Sequence, residues 1–297
     1  MRADGNITIP LQDRAGIIVP LQLGPLFPQY AGRRGSHVMD SFTPEAGYGQ
    51  YLGHSFIGVP QVTRLDEHRV LKESRHGRRE TDTMEFIAAN TTIPVPKIYN
   101  TKFDEEKKVC YIVMEYIPGE PLDKAWINLT RDERVSTCRQ LAEYLTQLQM
   151  LTGERIEAVN SDTVRVGLYE SHWGGPFDSE KEFNDFLAGG IQHNMTDNHA
   201  IYFAHGDLSP RNIMVNKSGR ITAILDWEWA GWFPQYWDVV RMFVDIPGKK
   251  QMPEYAEHLR STLPYMYKEE FSAMLDVFRS TSPSPRGTSV HTIPRSN

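Results

Sequence analysis

Apolar positions recur with two different periods along the central part of the chain. Spacings of three and four residues, which mark one face of a helix, predict helices over residues 80–89 and 135–148. A run rich in β-branched and aromatic residues predicts a strand over residues 109–116, which ends at Pro118-Gly119. Residues 93–96 read Ile-Pro-Val-Pro and should be extended, because each proline disfavours a helical conformation in the residue before it. These elements predict a chain that mixes strands with helices.

Two sequence motifs mark the starts of helices in the second half of the chain. Residues 130–133 read Thr-Arg-Asp-Glu and residues 179–182 read Ser-Glu-Lys-Glu, and both have the capping-box pattern. Gly189 and Gly190 should end the second of these helices. Helix is predicted again over residues 236–279, with interruptions near three prolines: Pro247, Pro253 and Pro264.

The two ends of the chain differ from its middle. Residues 1–40 are rich in Gly and Pro without a clean period, and they predict an irregular N-terminal segment. Residues 281–297 contain Ser, Pro, Arg and Thr with few apolar side chains, and they predict a flexible tail. The break at Pro118-Gly119 divides the remaining residues into two predicted lobes, 41–117 and 118–280.

Length and composition narrow the functional classes. The chain has 297 residues, 40% of them apolar, and a formal net charge of −6 without a basic face, so no nucleic-acid partner is expected. The apolar stretch over residues 17–27 is broken by two prolines and a glycine, so no membrane span or signal peptide is predicted. Cys110 and Cys138 are expected to be reduced, buried thiols, and a disulfide between them is the alternative. We therefore expect a soluble, cytoplasmic protein.

Three side chains with oxygen atoms surround a predicted hairpin. Residues 213–216 and 221–225 form two short apolar runs joined by a turn signal, and a hairpin returns its two ends to the same place. Asp207 and Asn212 lie on the loop that enters this hairpin, and Asp226 lies where the chain leaves it. Such oxygens suit Mg²⁺, which proteins bind through carboxylates together with nucleotide phosphates. Phosphoryl transfer needs mainly positioning and charge neutralisation, with one group to orient the acceptor hydroxyl, so it is a reaction that such a site suits.

The same residues resemble a known family. His-Gly-Asp-x-x-x-x-Asn at 205–212, followed by Ile-x-Asp-Trp at 224–227, is similar to the signature of the aminoglycoside phosphotransferase and choline kinase-like family, whose members are related to protein kinases. Four further segments resemble the fungal branch of that family: residues 80–87, 93–97, 113–119 and 231–237. The resemblance runs from about Val70 to Met242 and implies an α+β, protein-kinase-like fold. A small antiparallel-sheet N-terminal lobe would bind nucleotide, and a mainly helical C-terminal lobe would hold the catalytic and substrate residues.

The resemblance implies a role for each polar residue around the hairpin. Asp207 would be the catalytic base that accepts or orients the proton of the acceptor hydroxyl, and its alternative is the cap of a helix or turn. Asn212 and Asp226 would hold Mg²⁺. Glu228 should point away from this site if the residues after Asp226 stay extended. His205 is expected to support the loop by hydrogen bonding.

The N-terminal lobe has its own implied site residues. By the same resemblance, Lys72 would contact the α- and β-phosphates of the nucleotide, and Glu80 would pair with Lys72. The backbone from Glu115 to Ile117 would bind the adenine edge. The alternatives are that Lys72 is a solvated strand lysine and that Glu80 is a surface partner of neighbouring basic residues.

Two features stay open at this level. A glycine-rich loop that covers the phosphates should precede Lys72; residues 47–53 read Gly-Tyr-Gly-Gln-Tyr-Leu-Gly, one residue longer than the expected spacing, and Gly58 is the other candidate. Four tryptophans either pack in the core or form an aromatic wall for a substrate: Trp227, Trp229, Trp232 and Trp237.

The implied reaction transfers phosphate from ATP or GTP to an alcohol group of a small molecule, with Mg²⁺ as the cofactor. The competing hypothesis is a catalytically inactive kinase-like protein that binds or regulates. A protein kinase is disfavoured, because Gly206 stands where those enzymes have Arg and no Ala-Pro-Glu follows Asp226. Fold analogy supplies the reaction class, and neither the acceptor nor the oligomeric state follows from it.

Overall fold

A computed structural model describes most of the chain: residues 8–12, 18–22, 42–52, 62–74, 78–160, 162–166, 172–246, 248 and 250–281. The chain divides into two compact units, Met1–Asp40 and Ser41–Asn297. In the first unit, strands β1 (Thr8–Gln12) and β2 (Ile18–Gln22) pair antiparallel, in a segment predicted to be irregular. Apart from Thr281, which ends a helix, the predicted tail lies outside the described residues.

The second unit begins with a four-stranded antiparallel sheet and one helix, as the sequence predicted. The strands are β3 (Val62–Arg64), β4 (Arg69–Ser74), β5 (Ile98–Asp104) and β6 (Val109–Glu115), in the order β3-β4-β6-β5. Helix α1 (Arg79–Asn90) follows β4. Alternate residues of β4 are buried, and the lysine at position 72 lies on this buried face with Val70.

The segment before β3 pairs with that strand. The amide of Gly49 donates to the carbonyl of Arg64 at 2.9 Å, and the amide of Leu52 donates to the carbonyl of Val62 at 2.7 Å. Gly47 and Gly49 therefore precede or join the paired stretch instead of forming the turn that links it to β3. Residues 53–61 between this stretch and β3, which include Gly58, lie outside the described residues.

Short strands and two helices lead into the rest of the second unit: β7 (Glu120–Pro121), α2 (Leu122–Ala125), α3 (Arg131–Gln149), β8 (Thr152–Gly153), β9 (Val164–Val166) and β10 (His172–Gly174). The predicted capping box at Thr130 and Glu133 is present at the start of α3. Strands β9 and β10 pair antiparallel, and no pattern in the sequence predicted them. Helix α3 packs its buried face, which includes Leu141 and Leu145, into the main core.

The remaining elements surround the predicted hairpin: α4 (Glu180–Ala188), β11 (Ile201–Ala204), β12 (Ile213–Val215), β13 (Ile221–Ile224), β14 (Gly231–Pro234), α5 (Trp237–Val244), α6 (Tyr255–Thr262) and α7 (Lys268–Thr281). Ser179 accepts a hydrogen bond from the amide of Glu182, and Gly189 ends α4 in the left-handed conformation, as predicted. The hairpin of β12 and β13 is confirmed, and β7 pairs with its outer edge.

Two of the four tryptophans pack in the core, and the other two remain candidates for an aromatic wall. Trp227 and Trp237 are each 1% exposed and belong to the core. Trp229 and Trp232 are only partly buried. Both cysteines are free and buried, which confirms the prediction for them. None of the helices within the described residues combines the length and the apolar character needed to cross a membrane.

Candidate active site

The loop that enters the β12–β13 hairpin and the residue that leaves it lie side by side. A short 3₁₀ helix, Pro210–Asn212, ends the loop, and the carbonyl of Asn212 accepts a hydrogen bond from the amide of Leu225 at 2.8 Å. Asp226 follows with φ of 66°, in the left-handed region that is unusual for a residue with a side chain. This local turn places Asp226 next to Asn212 at the open end of the hairpin.

The carboxylate of Asp207 is held by two neighbours on the same loop. Nη2 of Arg211 donates to both of its oxygens, at 2.8 and 3.0 Å. The side-chain amide of Asn212 donates to Oδ2 at 3.0 Å and to the backbone carbonyl of Asp207 at 2.9 Å. Burial raises the pKa of Asp207 above its ordinary value, although Arg211 and Arg241 oppose this effect.

His205 supports the loop, as predicted. Its Nε2 donates to the carbonyl of Leu225 at 2.9 Å, and its Nδ1 accepts from the amide of Asp207 at 3.2 Å. Because one ring nitrogen faces a carbonyl and the other an amide, the imidazole is neutral with the proton on Nε2. Burial lowers the pKa of His205, which is consistent with this neutral form.

Asp238 anchors the loop from α5, a role that the sequence did not reveal. Its two carboxylate oxygens accept from the amides of His205 and Gly206, each at 2.8 Å. Gly206 has φ of +79°, and a Cβ there would come within 2.4 Å of the carbonyl oxygen of Trp229. Only glycine fits this position, which accounts for the absence of the arginine found in protein kinases.

Lys72 joins three elements that are far apart in the sequence. Its ammonium group donates to Glu80 Oε1 on α1 and to Asp226 Oδ1 after β13, each at 2.7 Å. Lys72 is 5% exposed and Glu80 is 1% exposed. Lys72 is therefore not a solvated lysine and Glu80 is not a surface residue, so both of these alternatives are wrong.

The ion pairs control the charge of these groups. Burial by itself would lower the pKa of Lys72, but Asp226 and Glu80 outweigh it and raise this pKa, so the ammonium stays charged. Burial would likewise raise the pKa of Asp226, but Lys72 holds it below the ordinary value. Burial raises the pKa of Glu80, and the nearby Asp226 adds to this effect. The site thus holds one cation between two unequal carboxylates.

The prediction for Glu228 is wrong. Residues Trp227–Trp229 form a 3₁₀ helix instead of continuing extended, and this turn brings Glu228 back toward the site. Oxygen atoms of Glu80, Asp226 and Glu228 lie within 4.8 Å of one another. Glu228 also pairs with Arg165 of β9, while burial and Asp226 raise the pKa of Glu228 to about 7.

The segment expected to meet the adenine edge follows β6. The amide of Glu115 donates to the carbonyl of Lys97 at 2.8 Å, and Oε2 of Glu115 accepts from the amide of Lys97 at 3.2 Å. The side chain of Glu115 is thereby turned toward the start of β5. Within the described residues, the amide of Ile117 makes no backbone hydrogen bond. The amide of Tyr116 donates to the carbonyl of His68 at 2.7 Å, so the amide of Ile117 is the donor in this segment that a nucleobase edge could use.

The β9–β10 hairpin adds contacts that sequence reasoning missed. Guanidinium and indole groups alternate from α1 to α5: Arg79 lies 4.6 Å from the Trp173 ring, Arg165 lies 5.6 Å from Trp173 and 4.1 Å from Trp229, and Arg241 lies 5.5 Å from Trp229. The residues come from five separate elements, so no local pattern could have indicated the series.

Comparisons with protein families and curated proteins show what the chain is similar to. The model of the phosphotransferase enzyme family matches residues 59–271, which is more than half of the chain. A subtelomeric hrmA-associated cluster protein of Aspergillus fumigatus is 38% identical over 66 residues, which cover 22% of this chain and 13% of the relative. The same protein from a second strain gives the same values. These curated relatives are thus matched over 13% of their own length, and their names state no activity.

Solved structures share the fold at low sequence identity. An aminoglycoside-3'-phosphotransferase of type VIII is 17% identical with a TM-score of 0.54, over 79% of this chain and 94% of the other. A complex of APH(2")-IIia with GDP and kanamycin is 14% identical with a TM-score of 0.57, over 81% and 86%. A thermostable mutant of APH(4)-Ia, in a ternary complex with ADP and hygromycin B, is 13% identical with a TM-score of 0.55, over 81% and 86%.

Proposed function

The chain belongs to the phosphotransferase enzyme family, and we propose that it transfers the γ-phosphoryl group of ATP or GTP to a hydroxyl group of a small molecule. The observation that carries the proposal is the double ion pair of Lys72 with Glu80 and Asp226, at 2.7 Å each. A buried lysine between two carboxylates adds little net stability, since desolvation opposes the gain from pairing. The arrangement therefore points to a role other than stability. Contact with nucleotide phosphates is such a role.

The residues around Asp226 fit a divalent cation. Asp226 and Asn212 are adjacent across the base of the hairpin, and both offer the oxygen atoms that Mg²⁺ prefers. Among the described residues, Oε2 of Glu228 and Oε2 of Glu80 are buried without a hydrogen-bond partner. Unpaired buried oxygens next to an ionised carboxylate suit a positive ion. We propose that Asn212 and Asp226 hold Mg²⁺, which would neutralise the phosphate charge, and that Glu228 supports them.

Asp207 is the proposed group that receives the acceptor hydroxyl. In the reaction, the acceptor oxygen bonds to the γ-phosphorus while the bond from phosphorus to the β–γ bridging oxygen breaks. The hydroxyl proton passes to Asp207, and the nucleoside diphosphate leaves with the bond electrons. Arg211 and Asn212 hold the Asp207 carboxylate in place. Lys72, fixed by Glu80, would contact the α- and β-phosphates, and the backbone from Glu115 to Ile117 would bind the nucleobase edge.

The proposed Mg²⁺ site can be tested by measuring nucleotide affinity with and without the metal. The affinity of a non-hydrolysable ATP analogue, measured by calorimetry, should fall on the order of tenfold or more when Mg²⁺ is replaced by EDTA. Asp226→Ala should keep part of this Mg²⁺ dependence, because Glu228 lies close enough to replace it. The double variant Asp226→Ala/Glu228→Gln should lose the dependence.

The exposed Glu269 of α7 offers a matched control. Glu269→Ala removes a carboxylate without altering the site, so the Mg²⁺ dependence should be that of the wild type. Equal affinity of the wild-type protein with and without Mg²⁺ would contradict a metal-bridged nucleotide. Tight Mg²⁺-dependent binding without turnover on any acceptor would favour the alternative, an inactive kinase-like binding protein.

A further inference from the structure

Arg211 links the carboxylate of Asp207 to a second carboxylate outside the loop. Besides the two hydrogen bonds from its Nη2 to Asp207, its Nη1 donates to Oδ2 of Asp245 at 2.7 Å. Asp245 lies at the C-terminal end of α5. One guanidinium group therefore ties the Asp207 carboxylate to a helix of the same lobe, and the three bonds fix its plane.

Arg211 is the principal donor to Asp207. Oδ1 accepts from Arg211, and Oδ2 accepts from Arg211 and from Asn212. The side chain of Asp207 is 10% exposed, whereas that of Arg211 is 53% exposed. The guanidinium group thus brings a positive charge from the surface to a nearly buried carboxylate. Without it, Asp207 would keep one side-chain donor on one oxygen and would be free to rotate about its last bond.

We propose that Arg211 is a positioning residue that fixes the orientation in which Asp207 receives the acceptor hydroxyl. The proposal rests on the proposed function of Asp207 and adds to it the residue that controls the carboxylate. A guanidinium group bonded to both oxygens holds the plane of the carboxylate, so that Asp207 meets the acceptor hydroxyl in one orientation as it receives the proton. This suits a loose transition state, in which the acceptor proton leaves late.

A purely structural salt bridge is the competing explanation, and the two make different predictions. A half-exposed ion pair contributes little to stability. If Arg211 were only structural, its removal would change the melting temperature slightly and leave turnover as it was. If Arg211 positions Asp207, its removal should lower kcat strongly and leave nucleotide affinity almost unchanged.

The experiment compares Arg211→Ala, Arg211→Lys and Asp245→Asn with the exposed control Arg139→Ala. We expect Arg211→Ala to lower kcat on the order of 10²-fold, with nucleotide Kd changed by less than about threefold. Arg211→Lys should recover part of kcat, because lysine keeps the charge but loses the two-bond fork. Asp245→Asn should have a smaller effect, since it loosens Arg211 and leaves its contacts with Asp207. Arg139→Ala should behave as the wild type.

Chemical rescue adds a test, because added guanidinium ion would not change kcat if Arg211 were only structural. Guanidinium ion, at concentrations well below those that unfold the protein, should restore part of kcat in Arg211→Ala. It should not do so in Asp207→Ala, where the group to be positioned is missing. Retention of kcat within about twofold in Arg211→Ala would overturn the proposal, and so would a loss of nucleotide affinity as large as the loss of kcat.

Crystal structures of the wild type and Arg211→Ala separate this proposal from the proposed function. The Asp207 carboxylate should be rotated or spread over two orientations in the variant, a result that needs no turnover. If the wild type phosphorylates no acceptor, the proposed function fails, and the orientation of Asp207 still decides the positioning claim. An Asp207 carboxylate that is unchanged and well ordered in Arg211→Ala would overturn it.

Discussion

At the scale of single residues, the site combines groups that need each other to be buried. The buried Lys72 and Glu80 form an ion pair that the half-buried Asp226 joins, and Asp238 accepts hydrogen bonds from two buried amides of the loop over residues 205–212. A buried charge without its partner costs several kcal/mol, so replacing one member should harm folding as well as chemistry. Substitutions that keep shape are therefore more informative here than substitutions to alanine.

His205 should make the stability of the protein depend on pH. Because burial lowers its pKa in the folded state below about 6.5, the value of the unfolded chain, the unfolded state binds the proton more readily. The stability that comes from keeping His205 neutral is fully present above about pH 6.5, and it is lost as pH falls toward the folded-state pKa of His205. The free energy of unfolding, measured with urea between about pH 8 and pH 5, should fall more steeply with decreasing pH in the wild type than in His205→Gln.

The comparison with His205→Gln also defines the result that would contradict this prediction. Glutamine keeps a hydrogen-bond donor and acceptor but does not titrate, so it isolates the histidine from the carboxylates nearby. Parallel pH profiles of wild type and His205→Gln would mean that His205 keeps its ordinary pKa in the folded protein.

At the scale of elements, patterns of neighbouring residues predicted helix starts and the hairpin correctly. They did not predict the turn that follows a residue in the left-handed conformation. The capping box at Thr130 and the β12–β13 hairpin follow from neighbouring residues, so both were predictable. The 3₁₀ turn after Asp226 depends on the left-handed conformation of that residue, which the sequence does not announce. Glu228 was misplaced for this reason. The β9–β10 pair was missed because its strands have three residues each, too few to show a period.

Helix α1 is tied to the region before β9, and this contact should support the nucleotide site. Arg79 Nη2 donates to the hydroxyl of Thr163 at 2.8 Å and pairs with Asp162 at 2.7 Å. Arg79 precedes Glu80, the partner of Lys72, so loosening this end of α1 should loosen Lys72. We expect Arg79→Ala to weaken binding of the Mg²⁺-bound nucleotide by roughly threefold to tenfold, the effect of about 1 kcal/mol.

The control for α1 is Arg131→Ala, which removes an exposed arginine from the first turn of α3. Calorimetry with a non-hydrolysable nucleotide, together with melting temperatures, separates affinity from stability. Wild-type affinity in Arg79→Ala would show that α1 keeps Glu80 in place without this anchor.

At the scale of the whole molecule, the site exists because distant parts of one unit meet. Lys72 and Asp226 are separated by 154 positions along the chain and by 2.7 Å between their charged atoms. The sequence indicated these two residues through their resemblance to a family, and the fold brings them together. The chain belongs to the phosphotransferase enzyme family, and its fold is shared with solved structures of aminoglycoside phosphotransferases. The acceptor is not predicted by either, because substrate selection depends on side chains that vary on a common fold.

In the proposed function, Asp207 acts on the acceptor during phosphoryl transfer. Replacement by asparagine keeps the shape of Asp207 and removes its charge, so it should leave nucleotide affinity nearly unchanged. It should lower kcat by a factor on the order of 10²–10⁴, the usual contribution of a positioned general base. Such a loss without a loss of binding marks an interaction made mainly in the transition state.

The most direct measurement needs no knowledge of the acceptor, because water can take its place. The rate of Mg²⁺-dependent ATP hydrolysis should be measured for wild type and Asp207→Asn under saturating nucleotide. We expect slow hydrolysis by the wild type and a rate lower on the order of 10²-fold or more in the variant. Equal, measurable rates in the two proteins would contradict the assignment of Asp207 and, with it, the proposed mechanism.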